Sequence, residues 1–157
     1  MVDLWDFAGQ DEYSSWIPLF LSKRAIYLVV FDLSKGLENF NTFLQNANAE
    51  TNMEQLLKWL ATVSCMDSPE QKAWSYLRPL VFLVGTHADR PYEDIRNVQV
   101  KIWKEISQKN FAHQVIFPPF SIDNTKGSSD EGIIALKLRI WEALKQEPYM
   151  GEQIPFR

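Results

Sequence analysis

The stretch Leu80-Val81-Phe82-Leu83-Val84-Gly85-Thr86-His87-Ala88-Asp89 runs through five apolar residues and then, without a break, into small and polar ones. A short apolar run with no alternation is how a strand buried on both faces of a parallel sheet reads. Ala25-Ile26-Tyr27-Leu28-Val29-Val30-Phe31 reads the same way, and it too ends in a polar turn. Weaker strands are expected at residues 2–7 and 114–120. In the second of these, Pro118-Pro119 argues for a strand that ends or lies near an edge, because proline has no N–H to give a ladder.

Helical spacing fills the intervals. Met53, Leu56, Leu57, Leu60 and Val63 recur at helical positions behind Thr51-Asn52-Met53-Glu54, a capping-box pattern. Pro91 suits the first turn of a second helix carrying Ile95, Val98, Ile102 and Ile106. Ser128-Ser129-Asp130-Glu131 reads as the capping-box start of a third, carrying Ile134, Leu138 and Trp141. Pro18 cannot sit in a helix interior and is expected in the first turn of a short helix. Residues 34–50, rich in Asn and Gln, read as a surface loop with a short helix around 40–44. Strand and helix alternate, which predicts an α/β layered domain with a mostly parallel sheet and a ligand site outside the carboxyl ends of its strands.

Composition narrows the function classes. The chain has 157 residues, 46% of them hydrophobic, which suits one domain with a sizeable core. A formal net charge of −4 provides no basic stripe for a phosphate backbone, so nucleic acid is not an expected partner. Cys65 is the single cysteine, which excludes an intramolecular disulfide and fits a reducing compartment. The apolar runs fall far short of the ~20 residues of a transmembrane helix. The N-terminus has no signal-peptide pattern. A cytoplasmic protein without a transmembrane segment is the expectation.

Three polar groups leave the expected strands: Asp6-Phe7-Ala8-Gly9-Gln10, Thr86-His87-Ala88-Asp89 and Ser121-Ile122-Asp123-Asn124. Singly each is common. Their order, each behind an apolar strand and separated by helical segments, resembles the small GTPases. The likeness is closest to the Roc domain, the Ras-like GTPase module of the Roco proteins. "WDFAGQDEY" (residues 5–13) is similar to the Asp-x-x-Gly-Gln switch of that family. "AIYLVVFDLSKG" (25–36) resembles its following strand, and "VGTHAD" (84–89) the Thr-x-x-Asp form of its base-recognition motif.

The resemblance implies a Ras-like P-loop NTPase three-layer fold binding GTP or GDP with Mg²⁺, and it implies roles residue by residue. Asp6 would hold Mg²⁺, Gly9 would bring a backbone N–H to the γ-phosphate, and Gln10 would orient the attacking water. Asp89 would accept from the two adjacent N–H donors on a guanine edge, a pairing adenine cannot match. Thr86 and His87 belong to the same motif, with an imidazole where lysine is more common. His87 either stacks on the base or is an exposed loop histidine. Ser121 and the backbone of Ile122 fall where the last base-contacting loop should be. Asp123 stands where many small GTPases have lysine, and a plain loop role is open for it and for Asn124. Residues 9–16 would form a switch loop.

A glycine-rich phosphate-binding loop, G-x-x-x-x-G-K-[ST], is not found among glycines 9, 36, 85, 127, 132 and 151. In the family that loop, its strand and its helix precede Asp-x-x-Gly. The expectation is a fragment of a longer product lacking that N-terminal strand and helix, with a naturally shortened relative as the alternative. Residues 1–147 would be a partial Roc GTPase domain, not active without its upstream loop. Residues 148–157 resemble the passage into a COR domain, through which the parent protein could dimerise. The competing function is a non-catalytic interaction or scaffold module for protein partners, using residues 13–20 and 74–76.

Overall fold

The computed structural model describes residues 4–7, 17–22, 25–40, 50–64 and 79–147. Three strands, β1 (Ile26–Asp32), β2 (Leu80–Thr86) and β3 (Val115–Ser121), form a parallel sheet in the order β1-β2-β3. Three helices accompany them: α1 (Asn52–Ser64), α2 (Ile95–Ile106) and α3 (Glu131–Gln146). The expected α/β fold with a parallel sheet is present, in three layers. One core cluster joins Leu56, Leu60 and Val63 of α1 and Val98, Ile102 and Ile106 of α2 to Val29, Val81, Leu83 and Val115 of the sheet. The other joins Leu136 and Ala143 of α3 to Phe82 and Val84 on the opposite face.

Residues 81–85 of β2 are buried throughout, as an unalternating apolar run requires of a central strand. In β1 only Val29 is buried; Leu28 and Val30 are 43% and 60% exposed, so this run is covered on one face and not on both. On the α3 side, β1 contributes only the partly buried Ile26 to the cluster around Leu136 and Ala143, whereas β2 contributes the buried Phe82 and Val84. Residues 4–7 are not a strand. They have no ladder partner among the described residues, and Trp5 and Phe7 instead lie beside the ring of Phe20, centroids 6.1 and 6.2 Å apart. Pro18 lies in the 3₁₀ turn Ile17–Leu19, as its ring demands. Phe40 makes an isolated antiparallel bridge to Thr51, while the rest of the expected 40–44 helix lies outside the described residues.

β3 forms the other edge of the described sheet. Its register with β2 runs Val81↔Val115 and Phe82↔Ile116, then resumes at Val84↔Phe120 and Gly85↔Ser121. The irregularity contains Pro118 and Pro119, which cannot donate to β2 and bulge out of the ladder.

Helix starts follow their caps. At α1 the Thr51 hydroxyl accepts from the Glu54 N–H at 3.1 Å and the Glu54 carboxylate accepts from the Thr51 N–H at 2.8 Å, the reciprocal capping box. Pro91 is not in α2. The cap is Asp94, whose carboxylate accepts from the N–H groups of Arg96 and Asn97 at 2.9 and 3.3 Å. Ser128 likewise does not open α3. It belongs to the 3₁₀ stretch Asn124–Ser129, which has Gly127 at φ +55°, and the cap is Asp130, accepting from the Ile133 N–H at 2.9 Å. The expected core face of α3 is also corrected: Ile134, Leu138 and Trp141 are 45%, 60% and 53% exposed, while Leu136 and Ala143 are buried. α3 carries two apolar faces at helical spacing, and periodicity cannot say which of them meets the sheet.

Candidate functional site

Parallel strands discharge their polar ends on one side, and here Asp32, Thr86 and Ser121 end β1, β2 and β3 together. Asp32 registers with Thr86, and Ser121 with Gly85. The loops beyond are tied by backbone bonds. The Ile122 N–H donates to the Gly85 carbonyl at 2.8 Å, the Ala88 N–H to the Ile122 carbonyl at 3.1 Å, and the Leu33 N–H to the Thr86 carbonyl at 3.0 Å. Thr86, His87, Ser121 and Ile122 are thus brought together. Ile122 spends both backbone groups in holding the two loops, so its N–H is already engaged.

Two glycines permit the close approach. A Cβ on Gly85 would lie 2.8 Å from the Leu33 side chain, and one on Gly132, in the first turn of α3, 2.1 Å from the Ser121 carbonyl oxygen. The start of α3 therefore rests against the end of β3, under the site.

His87 turns the chain in the left-handed region, at φ +59°, which a non-glycine residue adopts only when its surroundings hold it there. Its Nδ1 lies 2.9 Å from Asp32 Oδ1 and 3.2 Å from Thr86 Oγ1. Thr86 Oγ1 in turn donates to the Phe31 carbonyl at 3.3 Å. Asp32 Oδ1 also accepts from the Ser34 N–H at 2.9 Å and the Ser34 hydroxyl at 2.6 Å, and Oδ2 stands 3.8 Å from Lys35 Nζ. Burial alone would push the Asp32 carboxyl up. The Ser34 hydrogen bonds, the His87 imidazole and Lys35 outweigh it and hold the group below the usual carboxylate value.

Two residues beyond His87, Asp89 is exposed and forms no hydrogen bond or ion pair with any described residue. Asp123 behaves oppositely. It is 4% exposed, and its carboxylate accepts from the Thr125 N–H and hydroxyl at 2.9 and 2.6 Å and pairs with Lys126 at 3.2 Å, so its side chain is consumed in capping its own loop. The Thr125 hydroxyl bond leads in holding its carboxyl below the ordinary value.

Asp6 is exposed and forms no hydrogen bond or ion pair with any described residue, those of the β2 turn included. Gly9 and Gln10 lie outside the described residues. Among the described residues no three His, Cys, Asp or Glu side chains gather to hold a metal ion, and no helix is long and apolar enough to cross a membrane. Sequence reasoning passed over Asp32 and Ser34. The signal was there in Asp32-Leu33-Ser34, an aspartate leaving a strand two residues before a hydroxyl, which is how an Asx-type turn reads.

Comparison with known proteins agrees with this architecture. Residues 1–64 match the family model described as Ras of Complex, Roc, domain of DAPkinase. The chain is 25% identical over 156 residues to the probable serine/threonine-protein kinase pats1 of Dictyostelium discoideum, covering 98% of this chain and 4% of that protein. It is 29% identical over 153 residues to cyclic GMP-binding protein C of the same organism, covering 96% and 5%. A 31-residue stretch is 52% identical to the probable serine/threonine-protein kinase roco5, also of Dictyostelium discoideum, covering 20% and 1%. The chain thus spans a twentieth or less of the length of these relatives. No solved structure matches significantly. Residues 1–64 thus resemble the Roc family, and the chain along nearly its whole length is similar to these Dictyostelium proteins.

Proposed function

We propose that the chain is the base-recognising part of a guanine-nucleotide-binding, GTP-hydrolysing Roc domain in a cytoplasmic signalling protein. The observation that carries this reading is the Asp89 carboxylate, exposed and unpaired among the described residues at the carboxyl end of the central strand. A carboxylate so presented accepts two adjacent N–H donors, the pattern of a guanine edge and not of adenine. Thr86, His87, Ser121 and Ile122 build the loops around it, with Ile122 acting by fastening them. Asp6 would contribute one carboxylate to Mg²⁺, which takes one or two such ligands beside substrate phosphates. Gly9 and Gln10 would serve the γ-phosphate and the attacking water. Residues 148–157 would lead into a COR domain that brings two copies together.

Calorimetric titration of the gene product carrying this chain, with GDP and with ATP in the presence of Mg²⁺, tests the reading. GDP is expected to bind and ATP not to. Asp89→Ala should weaken GDP by roughly a hundredfold or more, the equivalent of two charge-assisted hydrogen bonds. Equal affinity for both nucleotides, or none for either, would overturn it. A non-catalytic interaction module is the second reading, favoured by the Trp5, Phe7 and Phe20 cluster, whose rings are 67%, 37% and 56% exposed. It predicts no nucleotide binding and an Asp89→Ala variant indistinguishable from the native protein.

A further inference from the structure

We propose that Asp32 is a positioning residue that holds His87 as its Nδ1–H tautomer, so that Nε2 offers a lone pair to an N–H or O–H donor of the bound nucleoside. The inference rests on the guanine-nucleotide reading for its ligand but on geometry for its link between the two side chains. Nδ1 faces a carboxylate oxygen at 2.9 Å and a threonine oxygen at 3.2 Å, whose proton goes to the Phe31 carbonyl at 3.3 Å. A bare Nδ1 lone pair against that carboxylate would be repelled, so Nδ1 carries the proton. In a neutral imidazole the other nitrogen is then the acceptor. Nε2 has no partner among the described residues, and the side chain is 36% exposed, so one edge of the ring is spoken for and the other is open.

Asp32 is itself held. Both Ser34 hydrogen bonds converge on the same Oδ1 that faces His87, which fixes the carboxylate before any ligand arrives. The backbone completes the restraint, because φ +59° at His87 directs its side chain back toward β1 and leaves Asp89 two residues later on the same turn. Preorganised groups of this kind lose little freedom when the ligand binds. The pair therefore supplies a second polar contact beside Asp89, in a place where lysine could offer only donors.

Nitrogen-detected NMR of the imidazoles tests the link directly, since the chain has two histidines and His113 serves as internal reference. In the native chain, with the imidazole neutral, the Nδ1 of His87 should show the protonated shift and its Nε2 the unprotonated one. Asp32→Ala should move the ring toward the Nε2–H tautomer, Asp32→Asn should partly restore it through the retained amide oxygen, and Ser34→Ala should leave it unchanged. In the gene product, Asp32→Ala should weaken GDP about fivefold, the effect of one neutral hydrogen bond, with Asp32→Asn intermediate. A native Nε2–H ring, or an Asp32→Ala ring with unaltered tautomer, overturns the positioning role whether or not nucleotide binds. Altered tautomer with unaltered GDP affinity overturns the ligand contact. Failure of the native protein to bind GDP overturns the nucleotide reading, and with it the ligand assigned here, while the Asp32 and His87 link stands on the NMR result.

Discussion

Gly132 approaches the Ser121 carbonyl so closely that a Cβ at position 132 would lie 2.1 Å from that oxygen. The obstacle is backbone at the end of β3, not a side chain that can rotate away, and it couples the first turn of α3 to the loop that Ile122 ties to Gly85. Gly132→Ala must therefore shift either the helix or the strand end. We expect a loss of about 1–3 kcal/mol in chemical denaturation, in the range of overpacked sites, although alanine is the better helix former. A stabilised variant would show that the helix start is free to move.

The capping box of α1 predicts a stability effect with a defined pH window. Thr51→Ala removes the hydroxyl that accepts from the Glu54 N–H and should cost about 1 kcal/mol. The Glu54 carboxyl is held below its ordinary value of 4.5, first by the Thr51 N–H and then by the Thr51 hydroxyl. Because its folded value is depressed, the contribution is present above pH 4.5 and fades as pH falls through the lower folded value. Glu54→Gln should flatten that part of the acid limb, as read by thermal melts from pH 6 to pH 2.

Two leucines on α3 distinguish its faces. Leu136 is 8% exposed in the cluster with Phe82 and Val84, whereas Leu138 is 60% exposed. Leu136→Ala should cost about 2–5 kcal/mol and Leu138→Ala less than about 0.5 kcal/mol. Denaturant midpoints at constant m-value check both. A reversal of the order would restore the face that periodicity alone suggested.

Local chemistry was legible where it depends on neighbours in sequence. The unalternating run at residues 80–84 became the buried central strand, and Thr51 with Glu54 formed the box their spacing announced. Pro18 stood in a first turn, and Pro118-Pro119 marked a broken edge ladder. Where two local signals competed, an aspartate capped the helix: Asp94 and not Pro91, Asp130 and not Ser128, each carboxylate accepting from backbone N–H at the helix start.

The sequence by itself determined the alternation of strand and helix and the strand-end position of the Thr86 and Ser121 motifs. Tertiary structure decided what each side chain meets. Only the parallel register of β1 and β2 sets Asp32 beside Thr86 and within 2.9 Å of His87, a meeting of residues 55 apart in sequence. The same packing turned Asp123 into its own loop and chose which face of α3 is buried. Periodicity and turn chemistry act over a few residues, whereas these contacts depend on which surfaces exclude water together, and that is set by the assembled sheet.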